Sequence, residues 1–138
     1  MRVLAIDHGE KRLGIAISDP TGTIARPLMV IQHTSRDADV AQVLALVQEY
    51  QVERIVIGIS LDDPGQPNPA GRRALNFART LKERTDLPVE MWDEAFSTQE
   101  ARIARIQAGV RRKKRQGHLD EWAAAMILQS YLEAKKTS

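Results

Sequence analysis

Three carboxylates stand where one stretch of the chain gives way to another. Asp7 follows the apolar run at residues 3–6, Glu94 follows the apolar run at 87–92, and Asp120 opens the last amphipathic stretch. An acid at the end of a buried strand is costly to keep there without a donor or a metal. Sets of carboxylate oxygens suit Mg²⁺ or Mn²⁺, which bind through a few acids, with water and substrate phosphate completing the shell. Two such ions can activate water and stabilise the leaving oxygen in phosphodiester cleavage. They also offset the repulsion among the acids and the phosphate. Each acid alone fits a structural role too. Asp7 can open a turn by bonding its own backbone, Glu94 can be a turn residue before a helix cap, and Asp120 can serve the positive end of a helix dipole. The residue pattern by itself leaves both readings open.

The elements that must position these acids follow from periodicity. Residues 3–6 and 13–17 are β-branched and aliphatic runs flanking a polar turn with Gly9, which reads as a hairpin whose glycine takes φ > 0. Residues 23–31 read as a third strand, and Pro27 confines it to a sheet edge. Ser35 caps a helix to Tyr50, with Val40, Val43, Leu44 and Val47 on one face. Residues 54–59 form a short apolar strand between helices, which predicts a crossover and a parallel pair. Residues 60–69 read as a loop, broken by Pro64, Gly65, Pro67 and Pro69. It leaves the carboxyl end of a parallel strand, where open α/β sheets place their sites.

Residues 70–84 read as a helix with Leu75, Ala78 and Leu81 inward. Gly71, Arg72 and Arg73 at its start fit either a phosphate site or a solvated first turn. A fifth strand over 87–92 ends in Asp93 and Glu94. Ser97 and Glu100 make a capping box for another helix. Ala101, Ala104 and Ala108 form its small face, Ile103 and Ile106 are its anchors, and Gly109 ends it. The last helix spans 119–135, with Trp122, Ala123, Met126, Ile127, Ser130 and Tyr131 spaced for packing. Phe96, Trp92 and Trp122 are expected in the core, and His8 and His118 as solvated neighbours of the acids rather than proton shuttles. The element order is βββαβαβαα, without repeats or low-complexity linkers.

Length and charge narrow the class. A chain of 138 residues forms one domain, 1–138, able to bury roughly 70% of its unfolded surface. It has no cysteine, hence no disulfide framework and no thiolate zinc site. No signal-peptide pattern or long apolar run stands out, so a soluble, cytoplasmic protein is expected. The net charge of +2 is unevenly spread. Residues 101–117 carry seven basic side chains and no acid, leaving −5 on the rest. Such a cluster points to a polyanionic partner. Arg111, Arg112, Lys113, Lys114 and Arg115, with Lys11, Arg12 and Arg72, are the candidate nucleic-acid contacts; the alternative for the run is a solvated loop.

The stretch Asp7-His8-Gly9-Glu10-Lys11-Arg12-Leu13-Gly14-Ile15-Ala16-Ile17-Ser18-Asp19 resembles the opening motif of the bacterial YqgF-type family, known as Holliday-junction resolvases or pre-16S ribosomal RNA nucleases. Stretches near Glu94 and Asp120 match in the same order, so the resemblance covers essentially the whole chain. It implies a ribonuclease H-like α/β fold: a mixed five-stranded sheet with helices on both faces, strands one and four central, and strand two antiparallel to its neighbours. It further implies that Asp7, Glu94 and Asp120 are catalytic and hold the metal. Asp120-Glu121-Trp122-Ala123-Ala124 matches the family's Asp-x-x-Ala-Ala. Two places depart from the pattern. Gly58-Ile59-Ser60 replaces Gly-x-Pro, and Ala95 stands where the family has an arginine after Asp-Glu.

The expected activity is metal-dependent endonucleolytic cleavage of structured nucleic acid, with 5′-end processing of pre-16S rRNA in ribosome biogenesis ahead of Holliday-junction resolution in DNA recombination. A nucleic-acid-binding protein with weak or no catalysis is the alternative that Ala95 suggests. Asp-x-Gly hairpins also occur in actin-like and sugar-kinase folds, but those need two such domains around a nucleotide, which 138 residues cannot supply.

Overall fold

Successive side chains of a strand point to opposite faces of its sheet, and the first strand sorts the whole domain this way. In β1 (Val3–His8), Leu4 and Ile6 enter one apolar layer while Val3 and Ala5 enter another. The computed structural model describes residues 1–59, 61–63, 66, 67, 69–93 and 119–136. The remaining elements are β2 (Arg12–Ser18), β3 (Ala25–Gln32), α1 (Arg36–Tyr50), β4 (Arg54–Ile59), β5 (Leu61–Asp63), β6 (Gln66–Pro67), α2 (Pro69–Arg84), β7 (Val89–Asp93) and α3 (Leu119–Lys136). Five strands form one sheet in the order β3-β2-β1-β4-β7. β1 pairs with β2 antiparallel and with β4 parallel, and β4 pairs with β7 parallel. This is the mixed sheet expected, with strands one and four central.

β3 lies at the edge, as Pro27 requires. The register jumps from Ile15 opposite Met29 to Ala16 opposite Pro27, so Leu28 is the extra residue of a bulge that accommodates a residue without an N–H. Ser35 caps α1 by accepting from the Ala38 amide at 3.1 Å, and Gln51 ends it in the left-handed region at φ 54°. The β1–β2 turn differs from expectation. Gly9 does not take a positive φ; its amide donates to the Arg12 carbonyl at 2.9 Å. A Cβ there would lie 2.6 Å from that oxygen, so the turn needs glycine for close approach.

One face of the sheet carries α1 and α2. Leu4, Ile6, Leu13, Ile15, Ile17, Ile55 and Ile57 meet Val40, Val43, Ala74, Phe77, Ala78 and Leu81 there. The other carries α3, where Val3, Ala5, Ala16 and Val56 meet Ala124, Ile127, Leu128 and Tyr131.

Four expectations are corrected. Leu75 is only half-buried, because α2 turns the stripe Ala74, Phe77, Ala78, Leu81 inward. Trp122 is 42% exposed, because α3 seats small Ala124 and Ala125 against the sheet and Trp122 falls on the outer side of the helix. The segment expected as a loop at 60–69 contains a short antiparallel hairpin, β5 with β6. His8 is half-buried, with its ring centroid 4.9 Å from that of Phe77, because strand alternation places it on the face of Leu4 and Ile6. Glu94, Ala95, Phe96, the helix expected after Ser97, the run 111–115 and His118 lie outside the described residues.

Candidate active site

Asp7 is the penultimate residue of the central strand, and its parity puts it on the face of Val3 and Ala5, toward α3. It pairs with Gly14 on β2 and with Gly58 on β4. Neither neighbour has a side chain, so the carboxylate has no flanking side chain in the adjacent strands at its own level. The same row continues through Gly58 to Trp92 on β7, and Asp93, opposite Ile59, ends that strand with the parity of the other face. Arg12, two residues before Gly14 on β2, has the parity of the same face and is exposed.

The direction of α3 decides whether Asp120 can join Asp7. Gln129 Oε1 accepts from the Ala25 amide at 2.9 Å, and the Tyr131 hydroxyl accepts from Arg54 Nη1 at 2.8 Å. Ala25 and Arg54 begin β3 and β4, at the end of the sheet where Val3 begins β1. The segment between, including Ala124 and Leu128, is packed on the sheet. From Tyr131 back to Asp120 a helix rises about 16 Å, while β1 advances about 13 Å from Val3 to Asp7. α3 therefore runs antiparallel to β1 and starts at the Asp7 edge. The backbone of Asp120 is brought to that edge, while its side chain lies outside those described.

Arg72, exposed on the first turn of α2, belongs to the opposite face of the sheet. The Phe77–His8 ring contact pins the next turns of α2 at the same edge, so Arg12 and Arg72 flank one edge from its two faces. Lys11 sits in the β1–β2 turn, its carbonyl accepting from the His33 amide at 2.9 Å. Burial, offset in part by Asp39, holds the His8 imidazole below its ordinary range, so it stays neutral at pH 7.

Two features escape the sequence pattern. The first is the glycine pair beside Asp7; its signal is Gly58 interrupting the run Ile55-Val56-Ile57 and Gly14 that of Leu13 and Ile15. The second is a polar cluster under α3. The Tyr131 hydroxyl also donates to Glu90 Oε2, Arg54 lies 3.6 Å from Glu90, and Trp92 Nε1 donates to Ser130 Oγ at 3.1 Å. Burial, then the bond to Glu90, pushes the Tyr131 hydroxyl up, which keeps it protonated as a donor. No sequence period marks these contacts.

Among the described residues, no three His, Cys, Asp or Glu side chains form a group able to hold a metal ion; of the three candidate acids, only Asp7 has its side chain described. Its hard oxygens suit a divalent cation with phosphate nearby. No helix among the described residues is long and apolar enough to cross a membrane.

A mixed sheet in this order, helices on both faces and an acid at the end of its central strand define a ribonuclease H-like domain. The structure of Thermus thermophilus RuvC in complex with a Holliday junction substrate superposes with a TM-score of 0.68 at 17% identity, covering 100% of this chain and 97% of that one. The fowlpox virus Holliday junction resolvase superposes with a TM-score of 0.57 at 15% identity, covering 98% and 99%. The RuvX family, described as Holliday junction resolvase, matches residues 1–134, and the chain belongs to it. A protein of Desulforamulus reducens provisionally named pre-16S rRNA nuclease is 40% identical, covering 97% of this chain and 98% of its own. One of Syntrophus aciditrophicus with the same provisional name is 41% identical, covering 97% and 89%.

Proposed function

We propose that this protein is a metal-dependent endonuclease that trims the 5′ end of precursor 16S ribosomal RNA. Family membership makes it a nuclease of the resolvase type, and relatives near 40% identity over almost their full length carry the rRNA name. The single structural observation behind the site is Asp7 on the central strand between Gly14 and Gly58, at the edge where α3 begins. Asp7, Glu94 and Asp120 would hold Mg²⁺ or Mn²⁺. Glu90 and Trp92 have the α3-facing parity, and Glu94 is the next residue of that parity in the sequence. When bound, the metal supplies Lewis acidity and an activated water for phosphodiester hydrolysis. The protein's own side chains do the rest. Arg12, Lys11, Arg72 and the run Arg111, Arg112, Lys113, Lys114, Arg115 hold phosphates of the backbone. The cytoplasm, where ribosomes are assembled, is the compartment this role requires.

Purified protein should cleave a pre-16S rRNA 5′ leader with Mn²⁺ or Mg²⁺, lose the activity in EDTA, and lose it in Asp7→Asn while still binding the RNA. Undiminished turnover by Asp7→Asn, or by wild type in EDTA, would sink this reading. A four-way DNA junction in the same assay separates the two substrates: preferential cutting of the junction makes the protein a resolvase. Neutralising the five basic residues 111–115 should lower the salt slope of binding by roughly 0.7–0.9 for each phosphate no longer neutralised.

A further inference from the structure

We infer that Trp92, Ser130 and Tyr131 are positioning residues that set where α3 begins relative to the end of β7. The inference rests on the active-site reading above and adds to it the device that fixes the spacing of the acids. α3 lays Ile127, Leu128, Tyr131 and Leu132 over Val3, Ala5, Ala16 and Val56 of the sheet. Apolar packing is non-directional and sets the helix register less sharply than hydrogen bonds do. Directional bonds sharpen it.

Ser130 Oγ accepts from Trp92 Nε1 at 3.1 Å, and the Trp92 and Tyr131 rings meet edge to face, with centroids 5.3 Å apart and planes at 87°. Tyr131, 2% exposed, links Arg54 on β4 to Glu90 on β7 through its hydroxyl. One helical turn thus grips two parallel strands. Trp92 is two residues from Glu94 in the chain, and Ser130 is on the same rigid helix as Asp120. A slip of the grip moves Asp120 along the helix axis relative to β7. Misplacements near 1 Å can cost about a hundredfold in rate.

Three variants of the full chain test this: Ser130→Ala, which removes the acceptor, Tyr131→Phe, which removes the bridging hydroxyl, and Ser130→Thr, which keeps a hydroxyl at the same place. The readouts are melting in EDTA, the added stability from Mn²⁺, and kcat and KM on the RNA. Ser130→Ala and Tyr131→Phe should melt within about 4 °C of wild type in EDTA, yet lose most of the Mn²⁺ shift and about tenfold in kcat, with KM unchanged. Ser130→Thr should restore both. A full Mn²⁺ shift and wild-type kcat in Ser130→Ala and Tyr131→Phe would overturn the positioning role and leave the nuclease reading intact. A wild type that neither gains stability from Mn²⁺ nor cleaves would overturn the reading and the inference together.

Discussion

The two faces of one sheet are built on different principles. Toward α1 and α2, β1 presents Leu4 and Ile6, its neighbours present Leu13, Ile15, Ile17, Ile55 and Ile57, and Phe77 closes the layer. Branched side chains interlock, and each buries a large apolar area. Toward α3 the same strands present Val3, Ala5, Ala16 and Val56, and then the row of Gly14, Asp7 and Gly58. The strands next to Asp7 carry only glycine in that row, Trp92 of β7 stands one strand further along it, and hydrogen bonds among Arg54, Glu90, Trp92, Ser130 and Tyr131 tie this face to α3. The thick face holds the domain together. The thin face carries less bulk in the strands and more directional bonding to the helix, which suits a site that needs fixed register.

Breaking the thick face should have the largest effect on folding and little on chemistry. Phe77 is 1% exposed and covers the His8 ring as well as the apolar layer. Phe77→Ala should cost about 3–5 kcal/mol through reduced burial and the cavity left behind. In denaturant titrations the midpoint should fall accordingly, while protein still folded at low temperature cleaves at the wild-type rate. A loss below 1 kcal/mol, or a folded variant without activity, would erase the division between the faces.

The same division explains what can be read from the sequence. Strands β1, β2 and β4, the cap at Ser35 and the edge position of β3 are legible, because apolar period, a capping hydroxyl and a proline each act locally. The thick face is legible for the same reason: large apolar residues at regular spacing have few other places to go. The thin face is not. Alanine and glycine carry no strong period signal, so periodicity rightly includes Ile127 and Tyr131 in the stripe of α3 but adds the exposed Trp122 and misses Ala124 and Ala125. His8 escapes a sequence reading because its nearness to a turn masks the alternation that directs it toward Phe77. The acids at element ends are visible as residues. That α3 returns antiparallel to β1, bringing the Asp120 backbone to the Asp7 edge, depends on contacts such as Gln129 with Ala25 that link residues more than a hundred positions apart.

Filling the thin face should act more on cleavage than on folding. Gly58→Val places a branched side chain next to Asp7 in the register. Gly58 is buried in register with Trp92, so the added side chain offsets the better strand propensity of valine by overpacking, at about 1–3 kcal/mol, and the melting temperature should fall by less than in Phe77→Ala. Cleavage should fall roughly tenfold or more, equivalent to about 1.4 kcal/mol in the barrier, with RNA binding through the basic residues retained. Wild-type cleavage by Gly58→Val would show that the Gly58 position beside Asp7 is not part of the site.

The smallest effect is expected from a second aspartate, at the opposite end of the hairpin. Asp19 has the same chemistry as Asp7 but a structural task. Its carboxylate accepts from the amides of Thr23 at 2.7 Å, Ile24 at 2.9 Å and Thr21 at 3.3 Å, and from the Thr21 hydroxyl. These bonds, the Thr21 hydroxyl first, hold its carboxyl far below the usual carboxylate range. The folded chain therefore releases this proton more readily than the unfolded one. The stabilisation is fully present above the unfolded value near 4 and is lost as pH falls through the folded value. The group is solvated, so the effect is modest and screened by salt. Asp19→Asn should lower the melting temperature slightly and by a constant amount above pH 5, with the gap to wild type shrinking below pH 4 and with cleavage unchanged throughout. Melts of both proteins from pH 7 to pH 2.5 measure it. A gap that stays constant into acid would mean that the charge on Asp19 contributes nothing, and a loss of cleavage would place this loop within reach of the chemistry assigned to Asp7.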